Sequence, residues 1–159
     1  MPRTVSIERA TPLDIGACLP LLSDLHKGDI GETMGDCFAE FCTAANAVAL
    51  IARRGSEVVG LVAGIEAPDL DFESHVATVN AIVVAAEYRG TGIGRALIDA
   101  FVDWAQRRQC VAVLYSTARD DAKRFARAVG FVPRSLASIF IKHLVALDQL
   151  GRRKQSEKG

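Results

Sequence analysis

The segment that most constrains this chain lies between residues 81 and 108. There an apolar, strand-like run ends at Val84, and Arg89-Gly90-Thr91-Gly92-Ile93-Gly94 opens a long helical pattern. From 91 to 108 the apolar residues Ile93, Leu97, Ile98, Phe101, Trp104 and Ala105 recur at three- and four-residue spacings, so one face of that helix is buried. The glycines therefore sit where a helix begins. A helix N-terminus leaves backbone N–H groups unpaired and carries roughly +0.5 of dipole charge, and glycines there let a phosphate approach the main chain closely. Arg89 adds a fork of donors suited to a pyrophosphate.

Two other phosphate-binding patterns fail on the same letters. No Gly-Lys-Ser/Thr follows, as a Walker loop requires, and the glycines are spaced G-x-G-x-G rather than G-x-G-x-x-G. Nucleoside triphosphates and NAD are poor ligands for such a turn. A glycine-rich turn without a ligand is the alternative.

Around this segment the chain reads as one domain, 1–150, followed by a charged tail, 151–159. Its 159 residues suffice for one ordinary core. Residues 4–8 alternate like a strand, and Thr11-Pro12 then starts a helix over 12–23. Weak helical spacing covers 33–43. Runs at 47–53 and 57–65, joined by Arg54-Gly55-Ser56, form a hairpin, and a turn over 68–73 leads to a third long strand over 75–84. Residues 110–116 read as a fully buried strand. Thr117 starts a helix with Ala122, Phe125, Ala126 and Val129 inward and Gly130 as its stop, and 131–133 and 138–143 are closing strands. The fold class is α/β, with a central, mostly antiparallel sheet flanked by helices.

Charge and cysteine usage exclude several classes. The net charge is zero, but the tail carries +3 and the body −3, which suits a cationic substrate and argues against nucleic acid. The apolar run over 76–86 is too short for a bilayer, and the charged N-terminal segment lacks a signal-peptide core, so a cytoplasmic protein without membrane contact is expected. Cys18, Cys37, Cys42 and Cys110 show no CxxC pair, and neither a metal site nor a disulfide framework is expected.

With these residues in hand, the sequence resembles the GNAT N-acetyltransferase superfamily, whose signature Gln/Arg-x-x-Gly-x-Gly/Ala lies between the fourth strand and the third helix. Arg89-x-x-Gly92-x-Gly94 matches it. The resemblance extends over about 58–144. Ala122-x-x-Phe125 and Gly130-Phe131 echo the Ala-x-x-Phe/Leu-Tyr-x-x-x-Gly-Phe segment of the fourth helix. It implies acetyl-CoA as acyl-donor cosubstrate, lying in a wedge where the fourth and fifth strands splay apart. Backbone groups of Ile82, Val83 and Val84 would then hold the pantetheine and acetyl carbonyl, and amides from Gly90, Thr91, Gly92, Ile93, Gly94 and Arg95 the pyrophosphate. Arg119, Lys123 and Phe125 would border the same cofactor. Relatives often pair through their C-terminal strands, so a homodimer is a further implication.

The chemistry can be argued independently of the family. An alkylamine of pKa ~10.4 is mostly protonated at neutral pH, so exposing its lone pair costs roughly 4 to 5 kcal/mol, and a base or water relay is the main need. A thiol leaving group of pKa ~8.5 needs a general acid less. The sequence departs from the resembled family at both places, with Asn80 at the usual glutamate and Ala126 at the usual tyrosine. Asn80 can only orient a water. Glu66, or Asp69, Asp71, Glu73 and His75 in the next turn, could supply the base, and Ser116 could hydrogen-bond the thiol. The reading is an N-acetyltransferase acting by direct attack of a primary amine, on a small molecule, a protein N-terminus or a lysine. A catalytically weak or inactive acyl-CoA sensor of the same fold is the alternative.

Overall fold

The computed structural model describes residues 4–134, 140 and 142–145. Strand β1 (Val5–Arg9) leads through a 3-10 turn (Pro12–Asp14) into helix α1 (Ile15–His26), and helix α2 (Thr33–Thr43) follows. The Asp14 carboxylate accepts a hydrogen bond from the Thr11 N–H at 2.8 Å, which satisfies a donor where the helical segment starts. Strands β2 (Ala47–Arg54), β3 (Glu57–Asp69) and β4 (Ser74–Val84) then run antiparallel, before helix α3 (Ile93–Arg107), strand β5 (Ala112–Tyr115) and helix α4 (Asp120–Ala128).

The described strands form one sheet in the order β1-β2-β3-β4-β5, antiparallel except for the parallel β4–β5 pair. The β2–β3 turn uses Gly55 at φ 63°, as a two-residue hairpin loop requires. In the β3–β4 turn, Asp69 Oδ1 accepts from the N–H of Asp71 and Phe72, a side chain standing in for a backbone turn acceptor.

Both faces of the sheet are covered. Ala49, Ile51, Leu61, Ala63 and Val83 pack with Cys18, Leu21, Leu22 and Phe38 of α1 and α2, whereas Val48, Ala52, Val59, Val62, Ala77 and Val79 pack against Ile93, Leu97, Ile98 and Phe101 of α3. Burial on both sides explains why 47–52 of β2 and 58–65 of β3 run without a polar side chain. Each valine, leucine, isoleucine or phenylalanine so buried contributes roughly 1.5–3 kcal/mol.

The β3–β4 register holds the main irregularity. Gly64 faces Val79 and Ala63 faces Ala81, so Asn80 is an extra residue without an opposite number. The consequence shows in the packing: on β4 the α3-facing residues are Ala77 and Val79 before the bulge, and Ile82 and Val84 after it. The parity of the strand is switched at Asn80.

Three expectations need correction. The strand expected over 110–116 is limited to Ala112–Tyr115 and is half-buried, with Val111 60% exposed, because among the described residues β5 is an edge strand with a neighbour on one side only. Helix α4 begins at Asp120, since Arg119 still has extended backbone at φ −81° and ψ 133°. Phe131–Pro133 joins no strand among the described residues. Of the closing strand expected over 138–143, residues 138, 139 and 141 lie outside the described residues, as does the tail, 151–159. Among the described residues no helix is long and apolar enough to cross a membrane.

Candidate active site

The parallel β4–β5 ladder ends at the Val79–Tyr115 rung, yet β4 continues to Val84. Beyond that rung the β5 side of β4 has no strand partner among the described residues, and its main-chain groups open into a cleft of about 590 Å³. That volume is in the ordinary range for small-molecule sites. The floor is residues 80–84 of β4, and one wall is Tyr115, Ser116 and Thr117 at the end of β5. Ala122 and Phe125 of α4, with Val129 just past its end, close it on one side, and Asp24, Leu25 and Lys27 at the end of α1 on the other.

At the head of the cleft the glycine turn delivers α3. Gly90 and Gly92 have φ of 75° and 91°, the left-handed region that costs a residue with a Cβ, and the space above both is open. Among the described residues no side chain caps α3 at Gly92. Its first-turn N–H groups are therefore available to an anion from the cleft. Gly94 answers to packing instead: a Cβ there would lie 3.0 Å from the Phe125 ring, so this glycine lets α4 lie close to α3. Arg95 Nη2 donates to the carbonyl of Ala128 at 2.6 Å, fastening the end of α4 to α3. An uncapped helix start, open glycines and Arg89 at its edge fit the diphosphate of a CoA molecule.

The C-terminal end of α4 explains the Gly130-Phe131 pair. Gly130 takes φ 100°, and the N–H groups of Gly130 and Phe131 bond back to Arg127 and Ala126. This turns Phe131 onto the ring of Tyr115, with centroids 5.9 Å apart. The cleft wall at Tyr115 is thus held from behind.

Most residues singled out from the sequence meet in this cleft: Asn80, Ile82, Val83, Val84, Arg89, Gly90, Gly92, Gly94, Arg95, Ser116, Arg119 and Phe125 all line it. The side chains of the others do not. Ile93 is buried beneath α3, Thr91 Oγ1 donates back to the carbonyl of Tyr88, and Lys123 Nζ lies 3.8 Å from Asp120 Oδ1 on its own helix. For Thr91 and Ile93 only the main chain can contribute.

Glu66 is not brought to the cleft either. It is 9% exposed and accepts from Arg108 through Nη2 at 2.7 Å and Nε at 3.2 Å, with His75 Nδ1 at 2.7 Å from its other oxygen. Hydrogen bonds from His75 first, then from Arg108, hold its carboxyl below the usual range. Arg108 also lies over the Trp104 ring, so this cluster ties the end of α3 to β3 and β4. It is occupied with holding the fold.

The structure adds cleft residues that sequence reasoning missed: Asp24, Lys27, Tyr115 and Thr117. Burial pushes the Tyr115 phenol up, and a hydrogen bond with Thr117 partly offsets it. Arg119 and Asp121 pair through two hydrogen bonds, at 2.7 and 3.2 Å. No short motif marks Asp24 or Tyr115, since each reaches the cleft only through tertiary packing.

A family model described as "Acetyltransferase (GNAT) family" matches residues 17–131, which include the whole cleft. The chain belongs to the GNAT acetyltransferase family. The activity of this acetyltransferase is acetyl-CoA-dependent N-acetylation, with acetyl-CoA as the donor cosubstrate. Its fold is shared with solved structures. The Brucella melitensis biovar Abortus 2308 ribosomal-protein-alanine N-acetyltransferase is 25% identical at a TM-score of 0.71, covering 88% of this chain and 99% of that one. An aminoglycoside acetyltransferase from an uncultured soil metagenomic sample, in complex with sisomicin, is 18% identical at 0.77, covering 89% and 97%. AAC(6')-Iy in complex with a CoA-S-monomethyl-acetylneamine bisubstrate analogue is 18% identical at 0.77, covering 88% and 99%. No curated protein sequence is a significant match.

Proposed function

We propose that this acetyltransferase moves the acetyl group to a primary amine by direct attack in a ternary complex. The observation that supports this is the splay beyond the Val79–Tyr115 rung, which leaves main-chain donors of β4 facing the cleft beside Asn80. A thioester carbonyl lying against β4 just beyond Asn80, with the pantetheine running on to Val84, would meet donors already in place where negative charge develops. The amine nitrogen attacks the carbonyl carbon, a C–N bond forms, and the carbonyl electron pair moves onto the oxygen. As that adduct collapses, its nitrogen gives up a second proton to the solvent water, the C–S bond breaks and the thiolate leaves.

The chain's own side chains divide the proton work. The bulge at Asn80 leaves this exposed amide on the cleft floor, where it orients a water that carries the ammonium proton to solvent. Ser116, at the end of β5, donates a hydrogen bond to the departing sulfur, and Tyr115 beside it keeps its phenolic proton. Arg89, Arg95 and Arg119 favour the phosphate end of the donor, with Phe125 packed alongside. Asp121 is paired with Arg119, and Asp24 lies by Arg89 at the Val84 end of β4, four residues along the strand from Asn80, which is why a water relay is favoured over a carboxylate base.

Thiol release from acetyl-CoA, measured against sisomicin, spermidine, ethanolamine and a peptide with N-terminal alanine, tests the reading. Acetylation of at least one amine, seen by mass spectrometry, is expected. Tight CoA binding without turnover on any amine would replace it with the sensor reading, which the asparagine at position 80 favours.

A further inference from the structure

We propose that Asp24 anchors a second, non-reacting ammonium of a polycationic acceptor, and that Arg89 covers this anchor until the diphosphate of the donor draws the arginine away. This rests on the amine acetylation proposed above. Asp24 stands on the last turn of α1, at the rim of the cleft. Its Oδ2 accepts from Arg89 Nη2 at 2.6 Å, while Nε of the same arginine donates to the carbonyl of Val84 at 3.2 Å. The guanidinium thus bridges the end of β4 and the end of α1.

The pair is built to exchange. Both side chains are about half exposed, 54% for Arg89 and 53% for Asp24, and ion pairs in such surroundings are held weakly. A phosphate seated on the uncapped start of α3 offers the same guanidinium stronger, bidentate hydrogen bonds. Arg89 immediately precedes that turn, so the competition needs only a side-chain movement.

The balance of charge points the same way. The cleft is lined by Lys27, Arg89, Arg95 and Arg119 against Asp24 and Asp121, an excess of cations that attracts a phosphorylated donor and repels an ammonium. Asp121 is engaged by both donors of Arg119, and Asp24 lies within electrostatic reach of that arginine as well as of Arg89. Neutralising the cations with phosphate and withdrawing Arg89 leaves Asp24 as the carboxylate exposed to the acceptor. Binding is consequently ordered, donor first. Because Asp24 sits near Val84 and Arg89 rather than at Asn80, it holds a part of the acceptor remote from the reacting nitrogen, which selects molecules with two or more cationic groups.

Calorimetric titration separates these claims from the reading they rest on. CoA itself is titrated first, and absence of binding to the wild-type protein would overturn the donor site as a whole. With binding established, Asp24→Asn is expected to tighten CoA at least threefold, since Arg89 no longer has a competing carboxylate. An unchanged or weakened Kd would overturn the cover. Spermidine, sisomicin and ethanolamine are then titrated into the CoA-loaded protein. The two polyamines are expected to bind tenfold or more tighter than ethanolamine in the wild type, to lose that advantage in Asp24→Asn, and to regain part of it in Asp24→Glu. No preference for polyamines, or a preference that survives Asp24→Asn with an unchanged melting temperature, would overturn the anchor.

Discussion

The ring of Phe101 fills the space that a side chain on Gly64 would need. A Cβ at Gly64 would lie 2.5 Å from Cε2 and Cζ of Phe101 and 2.3 Å from the carbonyl oxygen of Thr78. Gly64 is the β3 partner of Val79, so α3 presses closest to the sheet beside the last β4–β5 rung and the bulge at Asn80. The opening of the cleft and the seating of α3 are set at one point.

Gly64→Ala should therefore destabilise the fold. A methyl group forced against a packed ring and a backbone carbonyl costs about 1–3 kcal/mol. Melting temperature should fall by about 2–12 °C at this chain length. Thermal unfolding would show it, and an unchanged melting temperature would mean that the ring moves aside freely.

Gly92→Glu should remove CoA binding and leave the protein folded. The position is open, so the side chain meets no wall, but φ of 91° adds strain of about 1–3 kcal/mol and the carboxylate repels the phosphates at the start of α3. Calorimetry should show at least a hundredfold loss of CoA affinity. Undiminished affinity would sink the phosphate site.

Asn80→Ala should lower kcat less than tenfold, because an amide can orient water but cannot take its proton. The rise of rate with pH should follow the acceptor's own titration, near ~10.4 for an alkylamine, in both proteins. A thousandfold loss in steady-state kinetics would show that Asn80 does more than hold a water.

Glu66→Ala should cost about 2–4 kcal/mol, since it leaves Arg108 and His75 without their shared carboxylate. Well below the melting point its kcat should stay within about threefold of wild type. The depressed carboxyl gives a sign for pH: its contribution to stability is complete above the group's ordinary value of 4.5 and is lost as pH falls through the lower folded value. Acid unfolding of the variant should accordingly be less steep. A kcat loss beyond a hundredfold at unchanged stability would place Glu66 in the chemistry after all.

Thiol labelling should separate the cysteines. Cys37 is exposed, whereas Cys18 is fully buried and its thiol is pushed up to about 11, mainly by that burial. Alkylation followed by peptide mapping should find Cys37 modified in the native protein and Cys18 only after unfolding. Rapid native labelling of Cys18 would contradict the packing of α1 on the sheet.

Local signals in the sequence were enough for the order of elements from β1 to α4, the buried face of α3 and the glycine turn. Each depends on interactions between near neighbours: apolar spacing for α3, left-handed glycines at 90 and 92 for the turn, and a two-residue loop at Gly55 for the hairpin. What the sequence could not show depends on register and on distant partners. Asn80 looks like any polar residue in a strand until the pairing of Gly64 with Val79 and Ala63 with Ala81 makes it a bulge. Glu66 looks like a free acid at a strand end until Arg108, 42 residues away, closes on it. Asp24 carries no motif at all, and it enters the cleft only because Leu21 and Leu22 seat α1 against Val83 of the same strand that bears the open main chain. By itself the sequence determined the family and the donor, because the glycine turn and the apolar spacing that carry the resemblance are local features. Only the tertiary structure decided which carboxylates are tied up, which line the cleft, and where β4 and β5 part, because charges and strand ends meet across elements far apart in the chain.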